Sequence, residues 1–265
     1  MKNTHLLIID MQNDFCSPNG SLFVPGADQD AIRVSKFVRR IGKKINDIHV
    51  TLDSHRTVQV FHPIFWCDAH GKHPNPFTVI GVSDVEQGKW MTTNPSWRQR
   101  GLEYVKALAE KGRFPLVIWP YHTIIGSVGH SLVPCLSEAL IDWEKSRFAM
   151  VDYCVKGDFY FSEAYGALES EVPAPEESST MLNTGLVDML QQADDLLIMG
   201  EALSHCVKNT VEQVAKAFGD VNLDKFVLMT DCCSNVPTFE KLGDDFVKNM
   251  VARGMRVSTS VDYLA

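Results

Sequence analysis

Six short apolar runs constrain this chain more than any other feature of its sequence: His5–Ile9, Ile48–Leu52, Leu116–Trp119, Phe148–Val151, Asp195–Met199 and Phe226–Met229. Each has the length of a strand and is rich in Val, Ile, Leu or Phe. Their near-continuous apolarity suits strands covered on both faces, as in a parallel sheet. Amphipathic stretches lie between them and predict helices over Ala31–Ile45, Trp97–Lys111, Ser127–Trp143, Met181–Gln192, His205–Phe218 and Phe239–Ala252. In the first of these, Ile32, Val34, Phe37, Val38, Ile41 and Ile45 fall mostly on one stripe. Strand and helix in alternation predict right-handed βαβ crossovers and a three-layer α/β/α fold with a mostly parallel sheet. Ligands in such folds bind beyond the carboxyl ends of the strands. Asp10, Asp53 and the residues after Trp119, Val151 and Gly200 are expected there.

Two stretches break the alternation. Residues 63–115 carry PNP, NPSW and several aromatics, and residues 168–180 include the acidic, Pro/Ser-rich SEVPAPEESS, the composition of an exposed loop. We read 1–265 as one α/β domain with these two insertions. The length of 265 residues is enough for a substantial core without staples. A net charge of −8 provides no basic footprint for nucleic acid. Seven cysteines without a framework spacing or a CxxC pair predict free thiols in a reducing, cytoplasmic setting. The start, MKNTHLLIIDMQNDF, does not read as a signal peptide, and no run approaches the roughly 20 apolar residues of a membrane span.

Cys206 follows a buried strand, a glycine and a short turn, and is expected at a helix N-terminus. The dipole and unpaired N–H groups there favour thiolate and can cradle an oxyanion. Position alone leaves Cys206 equally readable as a small buried hydrophobe. Asp10 follows four apolar residues and must be paired there, whereas Asp14 suits a turn or cap. Lys156 follows another apolar run and precedes a glycine; most such lysines are solvated. If the three meet, the carboxylate can take the thiol proton and the ammonium can balance the buried charge.

Asp53 and His55 in LDSH lie two apart on a strand end, so both side chains face one way. With His122 from WPYH they form half a metal sphere of a kind suited to zinc, iron or manganese, and His62 is a candidate fourth ligand.

Taken together, these residues resemble the isochorismatase-like cysteine hydrolases, and within them the nicotinamidase group. IIDMQNDF resembles the D-x-Q-x-D-F opening, LDSH the D-x-H metal motif, WPYH the W-P-x-H motif, VKG the lysine segment, and GEALSHCVKNT the G-x-A-x-x-x-C-V-x-x-T signature. The matches run in order from about Leu6 to Val257. HTIIGSVGH departs from the group's H-C-x-x-G-T-x-G, and LSHC lacks the acidic residue that often precedes the His/Tyr–Cys pair. The resemblance implies a six-stranded, mostly parallel sheet and a catalytic triad of Asp10, Lys156 and Cys206. It implies a cis peptide between Glu201 and Ala202, and an oxyanion hole from the N–H groups of Ala202 and Cys206. It implies substrate contacts from Phe15 and Trp119, and a divalent metal, zinc first, on Asp53, His55 and His122. The expected activity is amide hydrolysis, nicotinamide to nicotinate plus ammonia, by a homo-oligomer acting on a small molecule, with neither nucleic acid nor membrane as partner. Other amidases of the family, isochorismatases proper and catalytically silent relatives are the alternatives.

Overall fold

Residues 2–112, 114–219 and 223–264 are described by a computed structural model. Six strands form one sheet: β1 (Thr4–Ile9), β2 (Asp47–Asp53), β3 (Asp152–Lys156), β4 (Asp195–Gly200), β5 (Phe226–Met229) and β6 (Arg256–Ser258). They lie side by side as β6-β5-β4-β1-β2-β3, and every pairing is parallel. β1, β4 and β5 are buried at every position, as their unbroken apolar sequences require.

Alternate residues of these strands feed two separate cores. Leu6, Ile8, Ile48, Val50, Leu197 and Met199 pack against the helices Ala27–Ile41 and Pro134–Arg147. Leu7, Ile9, Leu196, Ile198, Phe226 and Leu228 pack against Thr184–Gln191, Lys208–Ala217 and Glu240–Ala252. The chain builds one side of the sheet from β1 outward to β3, then crosses back to build the other from β4 to β6. The crevice at this reversal opens between the carboxyl ends of β1 and β4. Gly200 is required at that point: its φ is +128°, and a Cβ would stand 2.1 Å from the Ile9 carbonyl oxygen.

Several boundaries differ from the sequence reading. The strand expected at Phe148–Val151 begins instead at Asp152, because Phe148 closes the preceding helix in the left-handed region (φ 50°). β3 is an edge strand, and Tyr153 and Val155 face outward. Of Leu116–Trp119, only Leu116–Val117 is strand, paired antiparallel with Val79–Ile80 outside the main sheet. The sixth place goes to β6, whose short, half-exposed sequence carries little apolar signal. The helix expected over Ser127–Trp143 begins at Pro134, a residue suited to a first helical position. The expected Ala31–Ile45 helix runs from Ala27 to Ile41, where Gly42 ends it. Ahead of Lys208–Ala217 stands a single π turn, Leu203–Val207.

Residues 63–115 build a subsidiary core under the helix Arg98–Lys111, in which Phe65, Trp66, Tyr104, Val105 and Leu108 meet Phe61, Trp119 and Tyr165. The loop of residues 168–180 is irregular, as its composition suggests, but it is not simply exposed. Ser170, Glu171 and Thr180 are buried, and the Thr180 hydroxyl accepts from Ala174 N–H at 2.8 Å. Among the described residues, no helix is long and apolar enough to cross a membrane.

Candidate active site

Asp10, Lys156 and Cys206 converge at the crevice. Asp10 follows β1 with φ 48°, a conformation that an aspartate tolerates better than most residues. The Thr51 hydroxyl of β2 donates to its Oδ1 at 2.6 Å. Lys156 ends β3, and its Nζ lies 3.0 Å from Asp10 Oδ2, 2.7 Å from Asp53 Oδ1 and 2.9 Å from the Ala164 carbonyl. Its three hydrogen bonds go to Asp53 Oδ1, the Ala164 carbonyl and Cys206 Sγ, and Asp10 Oδ2 meets it as an ion pair. The Cys206 Sγ is 3.8 Å from the same nitrogen. All three side chains are buried.

This packing decides the protonation states. Burial pushes the Asp10 carboxyl up against the pull of Lys156. Burial works against the Lys156 ammonium, but Asp10 and Asp53 outweigh it and hold its pKa well above the usual range. Burial raises the Cys206 thiol well above its ordinary value; Lys156 opposes that shift, while Asp10 and Asp53 add to it. The pull toward thiolate that a helix N-terminus would exert is thereby opposed. Cys206 sits inside a π turn between two carboxylates, not at the mouth of a regular helix, so it rests as a thiol beside a base.

Asp53, His55 and His122 are brought together as well, with one ligand atom of each within 4.8 Å of the others. His55 Nδ1 donates to the Gly157 carbonyl at 3.0 Å and His122 Nδ1 to the Pro120 carbonyl at 2.8 Å. Each ring thus spends its Nδ1–H on backbone and turns Nε2 toward Asp53 Oδ2, at 2.8 Å and 3.6 Å. A bare imidazole nitrogen against a carboxylate needs a proton or a cation between them, and carbonyl-anchored rings are the usual support of metal ligands. Burial works against Asp53 ionising, but His55 and Lys156 outweigh it and keep its carboxyl well below the ordinary range. His62 is anchored in the same way, with Nδ1 3.0 Å from the Arg56 carbonyl, and its buried Nε2 has no hydrogen-bond partner. Burial, with His122 and His55 beside it, lowers the His62 pKa to about 3. The donor set fits a divalent cation.

A pocket joins the two groups. Its walls include Phe15, Trp119, Tyr165, His205, Ala202 and Val236, with Cys206, Lys156, Asp53 and His122 at the base. The space between the lining atoms is about 450 Å³, part of it open to solvent. The Glu201–Ala202 peptide is cis, as the resemblance implies. Among the described residues, the Ala202 N–H has no acceptor.

Three contributors were absent from the sequence reading. Gln12 pairs with the Asp53 backbone in both directions, at 2.8 Å and 2.7 Å, and also donates to the His130 carbonyl. It stands at the third position of the D-x-Q motif, which is the signal that marked it. Glu163 lines the pocket, and burial with Asp53 nearby raises its pKa to about 8. His205 also lines the pocket, and burial and Lys208 lower its pKa to about 4. Glu163 had no local signal, whereas His205 stands in the His/Tyr–Cys pair beside the nucleophile. Asp14 is a loop staple: its carboxylate accepts from Thr123 N–H at 2.7 Å and from Ser21 N–H at 3.0 Å, holding the loop that carries His122.

No protein-family model matches the chain. The nicotinamidase of Escherichia coli (strain K12) is 26% identical over 263 residues, 97% of this chain and 95% of that protein. The solved structure of an Acinetobacter baumanii nicotinamidase/pyrazinamidase superposes with a TM-score of 0.67 at 20% identity, covering 99% of each chain. A Pyrococcus horikoshii pyrazinamidase, solved in complex with zinc, superposes with a TM-score of 0.59 at 18% identity over 97% of this chain and 99% of its own. In sequence the chain is similar to nicotinamidases over nearly its whole length, and it shares the α/β fold of the solved nicotinamidases and pyrazinamidases.

Proposed function

We propose that the chain is a cysteine amidohydrolase that converts nicotinamide to nicotinate and ammonia through a thioester on Cys206. The observation that carries this reading is the buried Lys156 ammonium, which lies at once against Asp10, Asp53 and Cys206. Asp10 takes the thiol proton, and the resulting thiolate is held by Lys156 as it attacks the carboxamide carbon. The N–H groups of Ala202 and Cys206 stabilise the developing oxyanion. Collapse of the tetrahedral intermediate breaks the C–N bond, and ammonia leaves with the proton stored on Asp10. Asp10 then takes a proton from water as the water attacks the thioester. The acid product departs, and Cys206 recovers its proton.

Phe15 and Trp119 flank the pocket as apolar walls for a flat heteroaromatic ring. Asp53, His55 and His122 would hold a divalent metal, zinc or otherwise iron or manganese, with His62 as a further donor. When bound, that ion supplies a Lewis-acidic docking point for a ring nitrogen. The similarity to nicotinamidases and the zinc complex of the Pyrococcus horikoshii pyrazinamidase support this assignment. We also read the chain as a homo-oligomer in a reducing compartment; all seven cysteines are free.

Ammonia release from nicotinamide, run beside a panel of other primary amides and ureido compounds, tests the reading. Release from nicotinamide that is lost in Cys206→Ala is expected. Release only from another compound would reassign the substrate, and an undiminished Cys206→Ala would remove the nucleophile.

A further inference from the structure

Directly behind Ala202 lies a pair of buried carboxyl groups that the chemistry above does not use. Glu201 is 0% exposed and Asp30 2%. Both oxygens of Asp30 already accept hydrogen bonds, Oδ1 from Arg33 and Oδ2 from the Ser234 hydroxyl at 2.5 Å. Glu201 Oε2 accepts from the Ser234 N–H at 3.1 Å, and no donor reaches Oε1. Glu201 and Asp30 are brought together on one residue, Ser234, whose N–H bonds the first and whose hydroxyl bonds the second. A buried carboxyl placed beside another negative charge is held in its neutral form, because ionising it away from water is costly. The charged and titratable groups facing Glu201 are Asp30 and Arg33 from the helix Ala27–Ile41, Cys16 from Asn13–Cys16, and Cys233 from the loop after β5. Arg33 is the cation among them, and it is committed to Asp30. Burial first, and Asp30 next, push the Glu201 carboxyl well above the usual range.

The placement of this pair gives it a consequence. Residues 200–204, which contain the cis peptide and Ala202, are laced to residues 232–236. Gly200 N–H donates to the Cys232 carbonyl at 3.0 Å, Leu203 N–H to the Ser234 carbonyl at 2.8 Å, and Val236 N–H to the Ser204 hydroxyl at 3.1 Å. The Ser234-to-Glu201 bond is the fourth link, and among the four it is the one whose acceptor titrates. Val236 itself lines the pocket.

We propose that Glu201 is a positioning residue: as a neutral carboxylic acid it donates to Asp30 and accepts from Ser234, holding the turn that presents the Ala202 N–H, and its ionisation at alkaline pH loosens that turn and lowers kcat. The catalytic part rests on the thioester reading; the location of the proton does not.

Two measurements on the full-length protein test it. The first is infrared spectroscopy without substrate, comparing wild type with Glu201→Gln. In the wild-type-minus-Glu201→Gln difference spectrum, where the bands of Glu163 and Asp10 cancel, a carbonyl band of a neutral, buried carboxylic acid is expected; its absence from that difference overturns the proposal whatever the substrate. The second is the pH profile of kcat and KM for nicotinamide. Glu201→Ala should lower kcat about tenfold to a hundredfold with KM little changed, the scale of loss expected from a misplaced catalytic group. Glu201→Gln, whose amide can donate to Asp30 and accept from Ser234, should rescue kcat to within about threefold at neutral pH, the worth of one altered hydrogen bond, and lose the alkaline fall. If Glu201→Ala does not fold, Glu201→Gln decides alone. An alkaline limb in Glu201→Gln identical to that of wild type, or a folded Glu201→Ala with wild-type kcat, refutes the proposal. Wild-type turnover of nicotinamide, measured alongside, tests the thioester reading separately.

Discussion

Replacing Lys156 with methionine keeps the bulk of the stem and removes the ammonium from between Asp10 and Asp53. Its nitrogen is 3.0 Å from one carboxylate and 2.7 Å from the other, and all the groups are buried. Removing one partner of a buried ion pair leaves an uncompensated charge and typically costs about 3–5 kcal/mol. Here two carboxylates lose the same partner, so the upper part of that range is expected, reduced to whatever extent one of them takes up a proton. The assay is urea unfolding of metal-free protein, comparing midpoints at matched slope. Adding Asp10→Asn to the variant removes one of the stranded charges and should recover more than about 1 kcal/mol, a coupling of the size that contacting residues show. Saturating zinc should stabilise Lys156→Met more than wild type, because the ammonium that repels a cation bound at Asp53 is gone. A cost below about 1 kcal/mol, or the same cost in the Asp10→Asn background, would refute the claim that Lys156 is the charge keystone of the site.

Further expectations concern the frame and the titrating groups. Gly200→Ala should cost about 2–5 kcal/mol, from a strained backbone together with a Cβ pressed 2.1 Å from Ile9 O, and thermal unfolding would read it; a neutral effect would mean that the strands part easily at the crevice. His205 has its folded pKa lowered from 6.5 to about 4, so the unfolded chain takes up a proton first as pH falls. Its contribution to stability is therefore intact above the unfolded pKa and lost on the way down to the folded one, by about 3 kcal/mol in total. Between neutral pH and about pH 4, wild type should lose that much more stability than His205→Asn, and parallel pH profiles would contradict the assignment. His122→Ala should lower bound zinc and weaken substrate binding, with metal analysis as the check; unchanged stoichiometry would remove His122 from the ligand set.

Much of this arrangement was legible because it follows from local pattern. The unbroken apolar runs of β1, β4 and β5 mark strands buried on both faces, and the polar residue that ends each run marks the ligand-binding edge. Asp10, Asp53, Lys156 and Cys206 could therefore be placed together before any coordinates. The misses are places where tertiary context decides. Val151 belongs to a run that looks continuous, yet the strand beside it lies on the sheet edge and alternates. Leu116–Trp119 has the composition of a central strand, but it pairs with a ribbon in the insertion, and Trp119 serves both the insertion core and the pocket. Glu163 and Glu201 carry no signature in sequence. Their chemistry comes from what surrounds them, and in the case of Glu201 from an aspartate 171 positions earlier in the chain. The burial and the neighbouring carboxylates that raise the Cys206 thiol are of the same kind: the helix dipole can be read from sequence and these surroundings cannot.

The central claim is a covalent intermediate on Cys206. Rapid quenching of the enzyme with nicotinamide in acid, followed by peptide mass spectrometry, measures it directly. The account predicts that the Cys206 peptide gains the mass of the nicotinoyl group during turnover and that Cys206→Ala carries none. Steady ammonia release with Cys206 unlabelled at every quench time, and undiminished in Cys206→Ala, would contradict it.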